Sequence, residues 1–189
     1  MTAVIGIDPS IAASGLAIVK HPRFVDNPNR PEVECLETDA TGDSLYERSR
    51  RIGKQLGAIW SALSGVQTAL VMIETIPVRN PTPNVPSLYQ ERCALYFDLV
   101  RALRRERIPV VEVNVKTLKL WATGNGNAAK TEVVDAMQTL WPHARIGKND
   151  NKSDALALAT MGAQRLGWYE PELPHHFAPR VNWPVGVGA

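Results

Sequence analysis

Hydrophobic positions along the chain change period repeatedly, and the changes lay out the elements. Thr2-Ala-Val-Ile-Gly-Ile-Asp8 is an apolar, β-branched run closed by Pro9-Ser10, which predicts a first strand. Gly15-Leu-Ala-Ile-Val-Lys20 predicts a second after a short turn. Residues 21–31, with Pro22, Pro28 and Pro31, read as a loop. Val33 to Thr38 is expected as a third, edge-like strand, and three strands so closely spaced form an antiparallel meander. From Ser44 the period lengthens. Leu45, Ile52, Leu56, Ile59, Trp60 and Leu63 fit an amphipathic helix over Ser44 to Leu63. Thr68-Ala-Leu-Val-Met-Ile-Glu74 is apolar until its last residue, as a buried parallel strand is. Pro77 to Pro86 reads as a proline-rich loop, Ser87 to Arg107 as a long helix and Ile108 to Val113 as a short strand. The remainder is helical, interrupted by Gly124-Asn-Gly126, Pro142 and Gly147. The order is βββ-α-β-α-β-α-α, an α/β pattern.

Length and composition then narrow the class. At 189 residues the chain is expected to be one domain over 1–170 with a Pro-rich, extended or disordered tail over 171–189 that could still pack on a neighbour. Pro171, Pro174, Pro179 and Pro184 punctuate that tail, and His175-His176 lies within it. Cys35 and Cys93 stand far apart, which excludes a disulfide scaffold and a Cys-rich zinc module and fits a reducing, cytoplasmic setting. Asp8 interrupts the place where a signal peptide needs an apolar run, and no stretch approaches a membrane span. The net charge of +2 is too small to identify a partner.

Carboxylates carry the chemistry. Asp8 ends the first strand and Glu74 the fourth, and ligands of open α/β sheets gather at strand C-termini. An unpaired charge at the rim of an apolar core is costly, so each needs water, an Arg partner or a metal ion. Asp154 stands in Asn149-Asp150-Asn151-Lys152-Ser153-Asp154, ahead of the small-residue run Ala155-Leu-Ala-Leu-Ala159, the kind that packs close against a sheet. Asp150 and Asp154 share a helix face. Asn151 and Asp154 equally fit a capping box with Asn151 as N-cap, and Asp150 fits a cap or a solvated loop. Taken together, the acids are a set able to bind hard cations, and two such ions clamp both oxygens of a phosphodiester displacement.

These motifs, in order, resemble a known family. Val4-Ile-Gly-Ile-Asp-Pro-Ser10 with Ser14-Gly15-Leu-Ala, Met72-Ile-Glu74, Val115-Lys116 through Gly124-Asn-Gly126-Asn-Ala-Ala-Lys130, and Ser153-Asp-Ala-Leu-Ala-Leu-Ala159 are similar to the motifs of RuvC-type Holliday-junction resolvases, the phage-encoded ones above all. The resemblance spans residues 4–160. It implies a ribonuclease-H-like fold: a mixed five-stranded sheet, three strands antiparallel and two parallel, flanked by helices. It implies a homodimer that cleaves branched DNA with Mg²⁺, two ions per site and Mn²⁺ able to substitute, and no nucleotide cofactor. It assigns Asp8, Glu74 and Asp154 as metal ligands and catalytic residues. For the fourth ligand the family's Asp position holds Asn151, and Asp150 lies one residue earlier; Asp150 is the expected ligand, with the Asn151 carbonyl as the alternative. Pro77 stands where the bacterial pattern places a Phe, which leaves junction-opening contacts and sequence preference open.

Residues 91–130 hold eight basic against four acidic side chains, whereas 26–43 hold six acidic against Arg30 alone. A basic side beside an acidic site is the layout of a nuclease. Lys116, Lys119 and Lys130 are the expected phosphate contacts, Lys116 and Lys130 because they match the family's basic loop. Gly124 and Gly126 let the backbone approach a phosphate, although Gly124 to Lys130 lacks Walker A spacing. Arg101 to Arg107 fit a solvated helix face. Trp60, Trp121, Trp141, Trp168 and Trp183 are expected in the core or an interface, with Trp121 also near enough to the glycine loop to touch DNA. Cys93, Leu95, Tyr96 and Leu99 are candidate dimer contacts, although some of them must face the sheet. The rival functions are a flap, fork or RNA–DNA-hybrid nuclease, or a non-catalytic DNA-binding module. An actin-like ATPase needs two large lobes, more than 189 residues allow.

Overall fold

The computed structural model describes residues 2–25, 30–39, 42–76, 86–170 and 181–187. The strands are β1 (Thr2–Asp8), β2 (Ala13–Lys20), β3 (Glu32–Glu37), β4 (Gln67–Glu74) and β5 (Val110–Val113). The helices are α1 (Leu45–Leu63), α2 (Pro86–Arg105), α3 (Val115–Thr123), α4 (Lys130–Leu140) and α5 (Asp150–Arg165), with one 3-10 turn at Pro22–Phe24. Three helices follow β5 where the written order has two, because the breaks at Gly124 and Pro142 separate α3, α4 and α5. The five strands run in the order β3-β2-β1-β4-β5. β1, β2 and β3 pair antiparallel, and β4 and β5 join parallel to β1, as the resemblance implies.

Strand alternation sorts the core into two layers. Val4 of β1, Ala17 and Val19 of β2, and Leu70 and Met72 of β4 face α5, with Trp121 and Trp141 completing that layer. Ala3, Ile5 and Ile7, with Leu16, Ile18, Val71 and Ile73, face Ile59 of α1 and Leu95, Leu99 and Leu103 of α2. Along the β1–β4 pair, Ala3 stands opposite Thr68 but Val4 opposite Leu70, so Ala69 is skipped.

Contact between α5 and the sheet is closer than side chains allow. A Cβ on Gly6 would stand 1.9 Å from the Ala155 carbonyl oxygen, and one on Gly15 1.9 Å from that of Asn151. The small residues of α5 therefore meet glycines in the strands, and the helix axis is held at a fixed height over β1 and β2.

The opposite face departs from the expected pattern. α1 begins with a capping box in which Ser44 and Glu47 satisfy each other's backbone N–H. Its buried side is Arg51, Gln55, Ile59 and Leu63, while Leu45 is 77% and Trp60 37% exposed. Two polar residues lie inside because distant partners meet them. Arg51 pairs with buried Glu91 at 3.6 Å and donates to the Gly42 carbonyl, and the Gln55 amide donates to Ser14 Oγ and the Leu36 carbonyl. On α2, Leu95, Tyr96 and Leu99 are buried toward the sheet, so they are core residues and not free for an interface; Leu88 and Phe97 are exposed instead.

Trp121 is fully buried and its indole donates to Gln164 at 2.9 Å, which makes it a core residue and not a DNA contact. Val181, Trp183 and Val187 pack on the same core, and the Arg165 guanidinium lies 5.3 Å from the Trp183 ring centre. The composition shift at Pro171 is thus not the end of the packed chain. Pro77 and His175-His176 lie outside the described residues. No helix among the described residues is long and apolar enough to cross a membrane.

Candidate active site

Parity along the strands delivers two carboxylates to one place. Asp8 follows Val4 and Gly6 on the α5 side of β1, and Glu74 follows Leu70 and Met72 on the α5 side of β4. The two strands are neighbours and parallel, so their C-terminal ends adjoin. On α5, Asp154 sits one turn from the helix start, above the Gly15 contact that fixes the helix height. The result is one carboxylate oxygen each from Asp8, Glu74 and Asp154, all within 4.8 Å of one another.

Asp8 and Glu74 are each only 7% exposed. Burial pushes Glu74 up to about 8, with the charges of Asp8 and Asp154 adding to the shift and Arg92 opposing it. Asp154 is raised to about 7, first by burial and then by Asp8 and Asp150. Asp8 is raised by burial against the pull of Arg92 and Lys130. Three acids that repel in a desolvated corner are a poor structural feature and a good cation site: the ligands of a hard divalent ion are carboxylate oxygens at this kind of separation. The donor set therefore fits Mg²⁺ or a similar ion.

Asp150 is near this set but outside the mutual 4.8 Å cluster. It pairs with Lys130, and that pairing holds its carboxyl below the usual range. The N-cap of α5 is Asn149, whose side chain accepts from Lys152 N at 3.0 Å. The expectation of Asn151 as cap is corrected accordingly. Asn151 lies inside the first turn and its amide donates to the Ala13 carbonyl at 2.8 Å, stitching α5 to the start of β2.

Of the expected DNA contacts, Lys130 is the nearest to the acids: its charge acts on Asp8, Glu74 and Asp154. Lys119 acts on Asp154 and donates to the Ala128 carbonyl at 2.6 Å. Lys116 is exposed in the first turn of α3, beneath the loop that its own carbonyl approaches at Gly126. Gly124 is the left-handed C-cap of α3, φ 77°, a conformation that favours glycine. Lys148 was not singled out by motif; with Lys130, Thr131, Asp135 and Asp150 it lines a cavity of about 450 Å³ beside the acids. Arg92 was missed as well. Its Nε donates to the Pro9 carbonyl at 3.0 Å, and its Nη2 lies 3.6 Å from Asp8 and 3.9 Å from Glu74. Nothing local in the sequence marks it, because its partners are eighteen or more positions away.

Known proteins share this arrangement of elements. Residues 4–161 match the family model described as crossover junction endodeoxyribonuclease RuvC. A relative of that name from Granulibacter bethesdensis is 30% identical over 185 residues, covering 97% of this chain and 91% of the relative. Another from Endomicrobium trichonymphae is 25% identical over 165 residues, covering 87% and 82%. Among solved structures, Thermus thermophilus RuvC in complex with Holliday junction substrate superposes with a TM-score of 0.62 at 20% identity, covering 84% of this chain and 91% of that one. The same protein's structure in another determination gives 0.60 at 21% identity, covering 89% and 99%. These two likenesses speak for the fold, and the family match spans nearly the whole described domain. With its carboxylates at the expected strand ends, the chain belongs to the RuvC family of crossover junction endodeoxyribonucleases.

Proposed function

We propose that this chain is a metal-dependent endonuclease that resolves four-way DNA junctions by hydrolysing phosphodiester bonds. The observation that carries the reading is the convergence of Asp8, Glu74 and Asp154 from β1, β4 and α5 within 4.8 Å, on a chain of this family. Divalent ions held there supply Lewis acidity at the phosphoryl oxygens and lower the pKa of a bound water. The chain's own part is positional. Asp8 and Glu74, fixed by the sheet, and Asp154, fixed by the close-packed helix, hold the cation site at one height above the strand ends. Lys130 and Lys119, with Lys116 further out, receive the DNA backbone and orient the scissile phosphate. Water oxygen joins phosphorus as the bond to the 3′ oxygen breaks, leaving a 5′-phosphate and a 3′-hydroxyl.

Several finer features belong to the same proposal. Mg²⁺ is the expected ion, two per site, with Asp150 as a fourth ligand that becomes available when phosphate draws Lys130 away. Symmetric cutting of a junction requires two sites, hence a C2 homodimer, and the exposed Phe97 on the outer side of α2 is an apolar contact for it. Work on DNA with free thiols at Cys35 and Cys93 fits the cytoplasm. A cleavage panel tests the function: four-way junction, Y-fork, flap, duplex and RNA–DNA hybrid with Mg²⁺. Paired symmetric nicks in the junction are expected. Faster cutting of flap or hybrid would reassign the substrate. In the same assay, Ala at Lys116 or Lys130 lowers the salt slope of junction binding by about one unit.

A further inference from the structure

Among the described residues, Arg92 is the cationic side chain that ion-pairs with Asp8 and Glu74 of the mutually close acid triad. Lys130 pairs with Asp150, which lies outside that triad. Arg92 rides on the second turn of α2, and its neighbour Glu91 is ion-paired at 3.6 Å with Arg51 of α1 in the buried layer, which orients that turn. Its Nε is held by the Pro9 carbonyl, immediately after Asp8. The guanidinium is thus placed by helix packing and by the β1 terminus, and does not depend on the carboxylates alone. It cannot shed its charge. Its side chain is 32% exposed, so the group sits at the rim of the acid cluster, where an incoming phosphate can reach it.

A divalent cation bound by Asp8 and Glu74 would draw on the same carboxylates that Arg92 approaches, with a fixed positive charge beside it. We propose that Arg92 is a built-in competitor for the metal-binding carboxylates: it weakens divalent-ion binding to the free protein and is relieved by a DNA phosphate, so that metal loading and DNA binding are linked. Guanidinium and phosphate form a bidentate, charge-assisted pair, and a phosphate brings negative charge to a site otherwise carrying Arg92, Lys130 and the metal. Linkage is reciprocal: if DNA raises metal affinity, metal raises DNA affinity by the same factor. The inference rests on the metal-dependent reading given above.

The test uses the full chain and three variants, Arg92→Gln, Arg92→Lys and Asp8→Asn. Mn²⁺ is titrated into DNA-free protein by calorimetry and followed in parallel by thermal shift. Arg92→Gln is expected to bind Mn²⁺ about tenfold more tightly than wild type, the scale of removing a unit charge a few ångströms from a divalent ion in a water-like medium. Arg92→Lys keeps the charge and stays near wild type. A bracing role alone makes the opposite forecast, since losing the bond to Pro9 would loosen Asp8 and weaken Mn²⁺ binding. Unchanged or weaker binding in Arg92→Gln therefore overturns the proposal. In a second arm, four-way junction binding is measured with and without Ca²⁺. The enhancement by Ca²⁺ is expected to be several-fold larger in wild type than in Arg92→Gln, and equal enhancement overturns the link to DNA. Absence of Mn²⁺ binding in wild type and in both Arg92 variants, with Asp8→Asn indistinguishable from them, would instead sink the metal reading itself.

Discussion

Glu74 shows at the scale of one residue what the site costs the fold. Its carboxyl is pushed up to about 8 from an ordinary value of 4.5, because burial and two neighbouring acids disfavour the charge. A carboxyl raised in the folded state stabilises at low pH, and that contribution is lost as pH rises through the folded value. In chelator, the protein is expected to lose stability steadily from about pH 4.5 toward pH 8. Glu74→Gln removes the repulsion, so its melting temperature in chelator at pH 8 should rise by about 2–4 °C per kcal/mol relieved, while cleavage is abolished. A Glu74→Gln protein that melts at or below the wild-type temperature under those conditions would remove the repulsion argument. Asp150 makes a separable case. Asn149 supplies the cap and the Lys130 pair is solvent-facing, so Asp150→Asn should leave the melting temperature within about 1 °C. As the fourth ligand, its loss should cut the metal-dependent rate by more than about tenfold. Full activity in Asp150→Asn would show that three acids suffice.

At the scale of elements, legibility followed the distance between partners. β1 and β4 were readable because a strand covered on both faces is apolar throughout, and Asp8 and Glu74 stood out at their ends. Asp154 was readable from the small residues behind it. The buried side of α1 was not, since Arg51 and Gln55 look solvent-facing until Glu91 and Ser14 arrive from forty and minus forty-one positions away. The cap of α5 was misplaced by two residues because Asn149 and Asn151 are chemically alike; what separates them is the bond from Asn151 to Ala13, across 138 positions. Arg92 was unreadable for the same reason. The glycine contacts give this scale its prediction. Gly6→Ala places a methyl 1.9 Å from the Ala155 carbonyl oxygen, which forces α5 outward. Overpacking of this kind costs about 1–3 kcal/mol or more. Asp154 moves with the helix, so the residual folded protein should show weaker Mn²⁺ binding as well as a lower melting temperature. Unaltered Mn²⁺ affinity would mean that α5 can shift without taking Asp154 along.

For the whole molecule, the proposed assembly falls on α2. One side of that helix is spent on the core through Leu95, Leu99 and Leu103, while Phe97, 61% exposed, stands on the other. A symmetric pair of such helices would bury Phe97 of both protomers at once. Phe97→Asp should convert a dimer to a monomer in light scattering, with the monomer's melting temperature near that of a dilute wild-type sample and paired nicks replaced by single ones. A variant that remains dimeric would move the interface to another face. The C-terminal segment contributes at the same scale: Trp183 and Val187 return to the α5 layer, and Arg165 both stacks on Trp183 and donates to the Val187 carbonyl.

The skipped residue Ala69 has a consequence far from where it lies. Side chains along a strand alternate like the ticks of a two-beat clock, and two strands agree only if they keep the same beat. Counting from Ala3 opposite Thr68 without a pause would bring Ile73, not Glu74, beside Asp8. The pause at Ala69 puts Leu70, Met72 and Glu74 in phase with Val4, Gly6 and Asp8 for the rest of the strand. The meeting of Asp8 and Glu74 at one end of the sheet thus depends on how one extra residue is absorbed at the other. Deleting Ala69 removes the pause but keeps the beat, because Leu70 still falls opposite Val4. Such a deletion variant is expected to retain metal binding and cleavage, and loss of both would show that the pause itself, and not the phase it sets, is what the site requires.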